Sequence, residues 1–323
     1  MADGREPISV GVPPISGGST PEAELAAIPP VAWPARVERS ESPLVQGLHR
    51  FRRSTTALVG AAIVVVLMLV ALFADVLAPR SPIASDQTHT FERPSWEYPL
   101  GTDQLGRDML SRVIHGTRIS LLVGVSSVLL ALFVGVPFGM IAGFYGGRVD
   151  TLVMRAMDLI LAFPIYLLAI ILMVMFTPTA GLIGTMKVTG AIAIVRIPIY
   201  ARLVRGSVLS IKEKEYVEAC RALGVRDPWI LFRHILPNCL APIIVTTTLG
   251  IATSIIVEAT LSFLGLGTQP PTPSWGWDLK ANISFIQANA WLSLFPGLAI
   301  FITVLGFNLF GDGLRDALDP RLK

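Results

Sequence analysis

Five long stretches of the chain contain no charged residue. They cover 54–74, 119–147, 159–186, 235–257 and 281–311. About 20 apolar residues in a helix cross the ~30 Å hydrocarbon core of a bilayer, so each stretch is long enough to span a membrane. The strict alternation of apolar and polar residues that indicates strands does not occur in them, and a helix satisfies its backbone hydrogen bonds within lipid. The pattern therefore predicts transmembrane helices.

A sixth apolar stretch, 181–201, contains two cations, Lys187 and Arg196. Each lies five or six residues from one end, where a long side chain can extend toward the headgroups. We count this stretch as a span, which makes the chain an all-α integral membrane protein with six transmembrane helices. The predicted helices cover about 55–78, 119–144, 152–177, 181–201, 238–263 and 291–312.

Composition agrees with the pattern. Of 323 residues, 52% are hydrophobic and 15% are charged, and the mean hydropathy is +0.63, whereas soluble domains have about 25% charged residues. Residues 1–45 differ from the rest, because they contain eight prolines and little apolar surface. Such a segment cannot compensate for its loss of conformational entropy, so we expect a disordered tail over 1–45 and a transmembrane domain over 46–323.

The positive charges predict the orientation in the membrane. Lys and Arg cluster before the first span, between the fourth and fifth spans, and at the C-terminus. With six spans these three regions lie on the same side, and an excess of Lys and Arg marks the cytoplasmic side. Both termini are therefore expected in the cytoplasm, with the tail 1–45 on the same side.

Several enzyme classes lack support in the sequence. There is no G-x-x-x-x-G-K-[ST] loop for ATP, no G-x-S-x-G nucleophile, and no metal-ligand spacing among His49, His89, His115 and His234. We therefore predict no catalytic residue, no metal site and no cofactor in this chain, and transport is the favoured class of function.

The loop 202–237 contains the most informative local signals. Helix formers continue to Leu223, and Gly224 is suited to a left-handed C-terminal cap. Asp227 is expected as the N-cap of a second helix, with Pro228 at its first position. Pro237 is expected to interrupt the pattern before the next span. Two short helices joined by a turn are predicted. Such an element could be a docking site for a partner or an amphipathic hairpin at the membrane surface.

The order Glu218-Ala219-x-x-x-x-Gly224, followed by Leu236-Pro237, resembles the "EAA" loop of permease subunits of bacterial ABC importers. Cys220 stands where that loop commonly has Ala, and His234 where the general pattern has Ile. Three further stretches, 99–121, 258–276 and 311–320, are similar to the second, "C"-type permease of dipeptide and oligopeptide importers. The resemblance covers roughly 50–323.

The resemblance implies a type I ABC importer permease fold and a coupling helix that docks in a groove of an ATPase subunit. The coupling residues it implies are Glu215, Tyr216, Glu218, Ala219, Ala222, Leu223 and Gly224. The residues that support the loop are Asp227, Pro228, His234, Leu236 and Pro237. The implied partners are a second permease in a heterodimer, two ATPase subunits that bind ATP and Mg, and an extracytoplasmic substrate-binding protein. No nucleic acid partner is expected.

The implied function is import of di- and oligopeptides across the bacterial cytoplasmic membrane. Nickel, glutathione or glycosides are alternative substrates of closely similar permeases, and a stand-alone secondary transporter is a rival of another class.

Individual residues within the spans have structural or pathway interpretations. For Asp158 we favour pairing with Arg155 or another cation, and for Glu258 an interhelical hydrogen bond, over a place on the substrate pathway. Arg196 departs from the small or apolar residue usual in the family. Three glycines at i, i+4 and i+8, Gly135, Gly139 and Gly143, predict close packing against another helix.

Overall fold

The computed structural model describes residues 51–175 and 180–318, so the predicted tail over 1–45 lies outside the described residues. Ten helices account for most of this part of the chain. They are α1 (Thr55–Leu72), α2 (Ala74–Leu77), α3 (Met109–Tyr145), α4 (Gly147–Leu161), α5 (Ile165–Met175), α6 (Gly181–Lys212), α7 (Glu215–Ala222), α8 (Asp227–Phe263), α9 (Trp275–Asn282) and α10 (Trp291–Leu318). Short 3₁₀ turns lie at Gln87–His89 and Ile283–Phe285.

Five of the helices, α1, α3, α6, α8 and α10, are long and apolar enough to cross a membrane. The pair α4 and α5 makes a sixth span if the two are taken together, but they meet at an angle of 85°. The sequence predicted one helix over 152–177 here. The bend follows from Pro164, which stands immediately before α5 and has no backbone N–H to continue the hydrogen-bond ladder. The last residues of that predicted span, 176 and 177, lie outside the described part of the chain.

Four helices extend well beyond the apolar stretches. Helix α3 begins at Met109 rather than 119, α6 continues to Lys212 rather than 201, α8 begins at Asp227 rather than 238, and α10 continues to Leu318. The start of α3 is fixed by Asp108, whose side chain accepts a hydrogen bond from the Ser111 backbone N–H at 2.9 Å. Capping of this kind satisfies an N–H that has no partner within the helix.

The glycine stripe of α3 packs against α6, as predicted. A Cβ added at Gly135 would lie 2.7 Å from the Ile197 carbonyl oxygen, and one at Gly143 would lie 2.8 Å from the Val208 Cβ. Both distances are shorter than a carbon atom tolerates, so only glycine lets the two backbones approach this closely. Helix α10 approaches α1 in the same way, since Gly313 contacts Ala57.

The bundle has two distinct ends. At the cap end, segments 78–108 and 264–290 cover the start of α3, with Trp275 of α9 against Gly116. At the loop end, residues 202–237 pack near the other end of α3, where Phe144 joins an apolar cluster with Val217 of α7 and Ile230 of α8. A 37-residue helix is about 55 Å long, so α3 links both ends.

Candidate functional site

Helix α7 is attached to the bundle by one face. Val217 is fully buried and Cys220, one turn later, is half-buried in the same apolar cluster. The guanidinium of Arg221 lies 5.0 Å from the centre of the Phe144 ring, which adds a contact to α3. The other residues of the helix point away from these contacts. The residues that the sequence assigned to coupling are all exposed: Glu215, Tyr216, Glu218, Ala219, Ala222, Leu223 and Gly224.

Gly224 ends this helix in the left-handed region, with φ +74°. Its N–H donates to the Arg221 carbonyl at 2.9 Å, and the Val225 N–H donates to the Cys220 carbonyl at 3.0 Å. A Cβ at Gly224 would meet no atom within 4 Å, so the requirement for glycine is conformational and not steric. The predicted C-terminal cap is confirmed.

Two details of the predicted loop are wrong. Arg226 takes the N-cap position expected of Asp227, which together with Pro228 forms the first turn of α8. Pro237 does not interrupt the helix, because α8 is continuous from Asp227 to Phe263. Within α8, the segment Ile230–Ile235 is π-helical, and it ends just before Leu236 and Pro237. The wider π turn shifts the carbonyl that a proline ring would otherwise meet, so the helix continues through Pro237.

Asn238, which the sequence did not single out, connects α7 to α8. Its side-chain amide donates to the His234 carbonyl at 2.7 Å and to the Tyr216 hydroxyl at 3.4 Å. Partial desolvation raises the pKa of the Tyr216 phenol. His234 and Leu236 are half-buried beneath α7, whereas Pro237 and Pro228 are exposed. The signal for Asn238 was its position directly after the Leu-Pro pair.

Two ion pairs hold α6 to α4 near the loop end. Arg205 pairs with Asp150 through two hydrogen bonds, one of them 2.6 Å between Nη2 and Oδ2. Arg202 pairs with Asp158, so the expectation of a nearby cation for Asp158 is met by Arg202 and not by Arg155. Lys212, the last residue of α6, donates to the Gly143 carbonyl at 3.0 Å.

At the cap end, Glu258 is fully buried and accepts hydrogen bonds from three serines. Ser262, Ser274 and Ser120 donate to its carboxylate at 2.8, 3.1 and 3.3 Å. These serines come from α8, from the residue before α9, and from α3, so Glu258 joins three segments. The geometry matches the structural interpretation of this residue.

The cap end also contains ion pairs that the sequence did not predict. Arg112 of α3 donates to Asp278 of α9 with an Nε–Oδ1 distance of 2.8 Å, and both side chains are buried. Its Nη1 donates to the Pro82 carbonyl at 3.0 Å. Arg107 forms a second buried pair with Asp103, with an Nε–Oδ2 distance of 2.7 Å. The Arg112 pair fixes α9 to the bundle, whereas the Arg107 pair lies within the segment 78–108.

Arg196 does not extend toward the end of its helix, as the sequence had suggested. It lies at the middle of α6, is 9% exposed, and donates through Nη2 to the Thr253 hydroxyl of α8. The three ionisable residues singled out within spans therefore occupy three different places. Asp158 is near the loop end, Arg196 is at mid-height, and Glu258 is at the cap end.

Comparison with known proteins identifies the architecture. The model of the family "Binding-protein-dependent transport system inner membrane component" matches residues 135–323, which is more than half of the chain. The chain belongs to this family. A second model, "N-terminal TM domain of oligopeptide transport permease C", matches residues 42–94. This family contributes the inner-membrane permease of ABC importers, and ATP hydrolysis belongs to partner subunits. The importer also has a substrate-binding partner.

Several curated relatives are similar to this chain over most of their length. A dipeptide transport system permease protein DppC from Alkalihalophilus pseudofirmus is 44% identical over 87% of this chain and 91% of the relative. A DppC from Escherichia coli K12 is 45% identical over 87% and 94%. A glutathione transport system permease protein GsiD from Pectobacterium atrosepticum is 43% identical over 94% and 98%.

A solved structure has the same fold. It is an inward-facing form of the MetNI methionine ABC transporter, with a TM-score of 0.54 and 19% identity. The match covers 65% of this chain and 98% of that chain. The type I importer permease fold is therefore confirmed for this chain.

Proposed function

We propose that this chain forms part of the membrane path of an importer for short peptides, with α7 as its contact to an ATPase subunit. The substrate class follows from relatives named as dipeptide, di/tripeptide and glutathione permeases, all of which act on short peptides. The observation that carries the role of α7 is its attachment. One face, centred on Val217, is buried, and the seven residues assigned to coupling are exposed.

The connections of α7 suit the transmission of movement. Helix α6 leads into it through only Glu213 and Lys214. Near that junction Lys212 is bonded to α3, and Arg205 is bonded to α4. A force on α7 therefore acts on α6, α3 and α4 together. When ATP draws the two ATPase subunits toward each other, rigid-body movement of these helices would change the side to which the cavity opens.

Charge supports an orientation with the loop end in the cytoplasm. Seven Lys or Arg residues lie in 202–237, namely Arg202, Arg205, Lys212, Lys214, Arg221, Arg226 and Arg233. The ATPase subunits, with their ATP and Mg, then contact the loop end. The substrate-binding protein contacts the cap end from outside. A second, different permease completes the path, so the proposed assembly has two permeases and two ATPases.

The decisive experiment replaces the residue that ends α7. Val at position 224 must adopt φ +74°, which costs about 1–2 kcal/mol and favours a different end to the helix. We expect Gly224→Val to leave membrane insertion and assembly intact while ATP hydrolysis continues without peptide uptake. Uptake and hydrolysis are measured together in proteoliposomes containing the full complex.

Gly206→Val is the matched control. Gly206 is also exposed and also has no atom within 4 Å of an added Cβ, but its backbone is helical. This variant should keep uptake coupled to hydrolysis. Normal uptake by Gly224→Val would contradict the coupling role, and purification of the wild-type chain without an ATPase would favour a stand-alone transporter.

A further inference from the structure

Three arginines are buried in the described part of the chain, and they differ in their partners. Arg107 and Arg112 each pair with a buried carboxylate at the cap end. Arg196 forms no ion pair with any Asp or Glu within 51–175 and 180–318. It lies at the middle of α6 and is buried, and a buried charge without a counter-charge is strongly disfavoured. A buried cation of this kind indicates a function.

The guanidinium has unused hydrogen-bonding capacity. It carries five N–H donors, and its Nη2 donates to the hydroxyl of Thr253. Its Nε is buried and has no acceptor in the described structure. The N–H groups of Arg196 that have no acceptor can donate to a carboxylate, whose two oxygens match the fork of the guanidinium.

The facing helix is shaped around Arg196. Gly250 of α8 lies opposite, and an added Cβ would come within 2.6 Å of the Tyr200 hydroxyl and 3.6 Å of the Arg196 Nη1. Tyr200 stands one turn after Arg196 on α6 and donates to the Thr246 carbonyl at 3.5 Å. The missing side chain at Gly250 therefore makes room for both groups between the helices.

Arg196 borders a hydroxyl-bearing face of α8. Thr253 is exposed, and Thr246 and Thr260 stand seven residues before and after it, which places all three on one side of the helix. Thr253 and Thr260 also donate to carbonyls of their own helix at 3.0 and 2.8 Å. Hydroxyls satisfied in this way tolerate either lipid or water, and they would form a polar wall for a path along this face of α8.

We propose that Arg196 binds the carboxylate of the peptide during its passage through the membrane. The proposal rests on the proposed function, since it takes a short peptide as the substrate. Every peptide with a free C-terminus carries this carboxylate whatever its side chains, so one cation can serve many sequences. A single guanidinium also binds weakly enough to release the substrate, which a transport path requires.

The test is a double-mutant cycle in which one change is made in the protein and the other in the peptide. Uptake of a tripeptide with a free C-terminus is compared with uptake of its C-terminal amide, in wild type and in Arg196→Gln. The complete complex with its binding protein is used in proteoliposomes. Any preference of the binding protein for a free carboxylate is the same with the wild-type chain and with Arg196→Gln, so it cancels when the two are compared.

We expect Arg196→Gln to lower uptake of the free tripeptide about tenfold and to leave uptake of the amide within twofold of wild type. Arg196→Lys should restore part of the loss, since it keeps the charge and loses the fork. Lys187→Gln, which removes a cation from the same helix, is the matched control and should lower uptake of both peptides equally or not at all.

The outcomes separate the two levels of inference. Equal loss for the free peptide and the amide in Arg196→Gln would overturn the carboxylate site and leave the importer role intact. Loss of assembled complex in this variant would also overturn it, because Arg196 would then pair with an acidic residue of the second permease. Failure of the wild-type complex to move either peptide would instead contradict the proposed function.

Discussion

Charged side chains are used differently at the two ends of the bundle. At the cap end, Arg112 and Asp278 are buried together, and Glu258 is enclosed by three serines. At the loop end, Glu215 and Glu218 are exposed on a helix whose buried face is apolar and which forms no ion pair in the described structure. Buried ion pairs demand one fixed geometry, whereas an apolar contact tolerates small displacement. The cap end is thus fixed by buried polar contacts, and the exposed face of α7 fits the proposed contact with an ATPase subunit.

The largest effect is expected from breaking the buried pair at the cap end. Arg112→Met leaves the carboxylate of Asp278 buried without a counter-charge, which should lower the free energy of unfolding by about 3–5 kcal/mol. Thermal unfolding in detergent measures the loss. Adding Asp278→Leu to the same variant should recover most of it.

Arg80→Met is the control for this prediction, because Arg80 pairs with Glu97 at 3.2 Å on an exposed surface. An exposed pair contributes about 0–1 kcal/mol, so this variant should unfold close to wild type. If the Arg112 and Arg80 variants unfold alike, the cap end is not held by its buried pair.

A smaller and more local effect is expected at the loop end. Val217→Ala removes apolar contact beneath α7 and should weaken its attachment by about 1–3 kcal/mol. Amide hydrogen exchange should become faster over 215–224 and stay unchanged in α9. Val149→Ala, at a side chain that is 42% exposed on α4, should change neither region. Faster exchange in α9 would show that the two ends are not independent.

The smallest effect on stability is expected from Leu223→Ala. This side chain is 82% exposed, so unfolding should change by less than about 0.5 kcal/mol. Binding of the purified ATPase should nevertheless weaken about tenfold, because an exposed leucine on a docking helix is suited to fill a pocket in a partner. Trp96→Ala, at a fully exposed residue of the cap end, should leave ATPase binding unchanged. Equal weakening of ATPase binding by the two substitutions would contradict a docking role that is specific to the loop end.

The spans and the end of α7 could be predicted because their signals are local, whereas the coupling positions of α7 came from the family resemblance. Apolar length identifies a membrane helix whatever it packs against. Gly224 indicates a left-handed helix end from its own chemistry. The third span was predicted less well, because its proline indicates a bend but not whether the helix resumes at a shallow or a steep angle.

The features that could not be predicted depend on distant residues. The first turns of α3 contain charges that are typical of a loop, and they are helical because Asp278, 166 residues later, buries Arg112. Asn238 is polar and exposed, and only the fold places Tyr216 beside it. The sequence placed Arg196 near a helix end because the apolar stretch ends at 201. Helix α6 continues to Lys212, so Arg196 lies at its middle.

The π-helical segment has a consequence for how the loop end tolerates changes in chain length. A residue of an α-helix turns the chain by about 100°, whereas a π turn takes about 4.4 residues, so each π residue turns the chain by about 80°. The π-helical residues of Ile230–Ile235 therefore turn the chain about as far as one residue fewer would in an α-helix. Deleting one of them would restore α-helical winding with little change in the direction that the preceding residues face, so Val217 would stay in its apolar cluster. The π-helical segment thus absorbs one residue of chain length without turning the exposed face of α7.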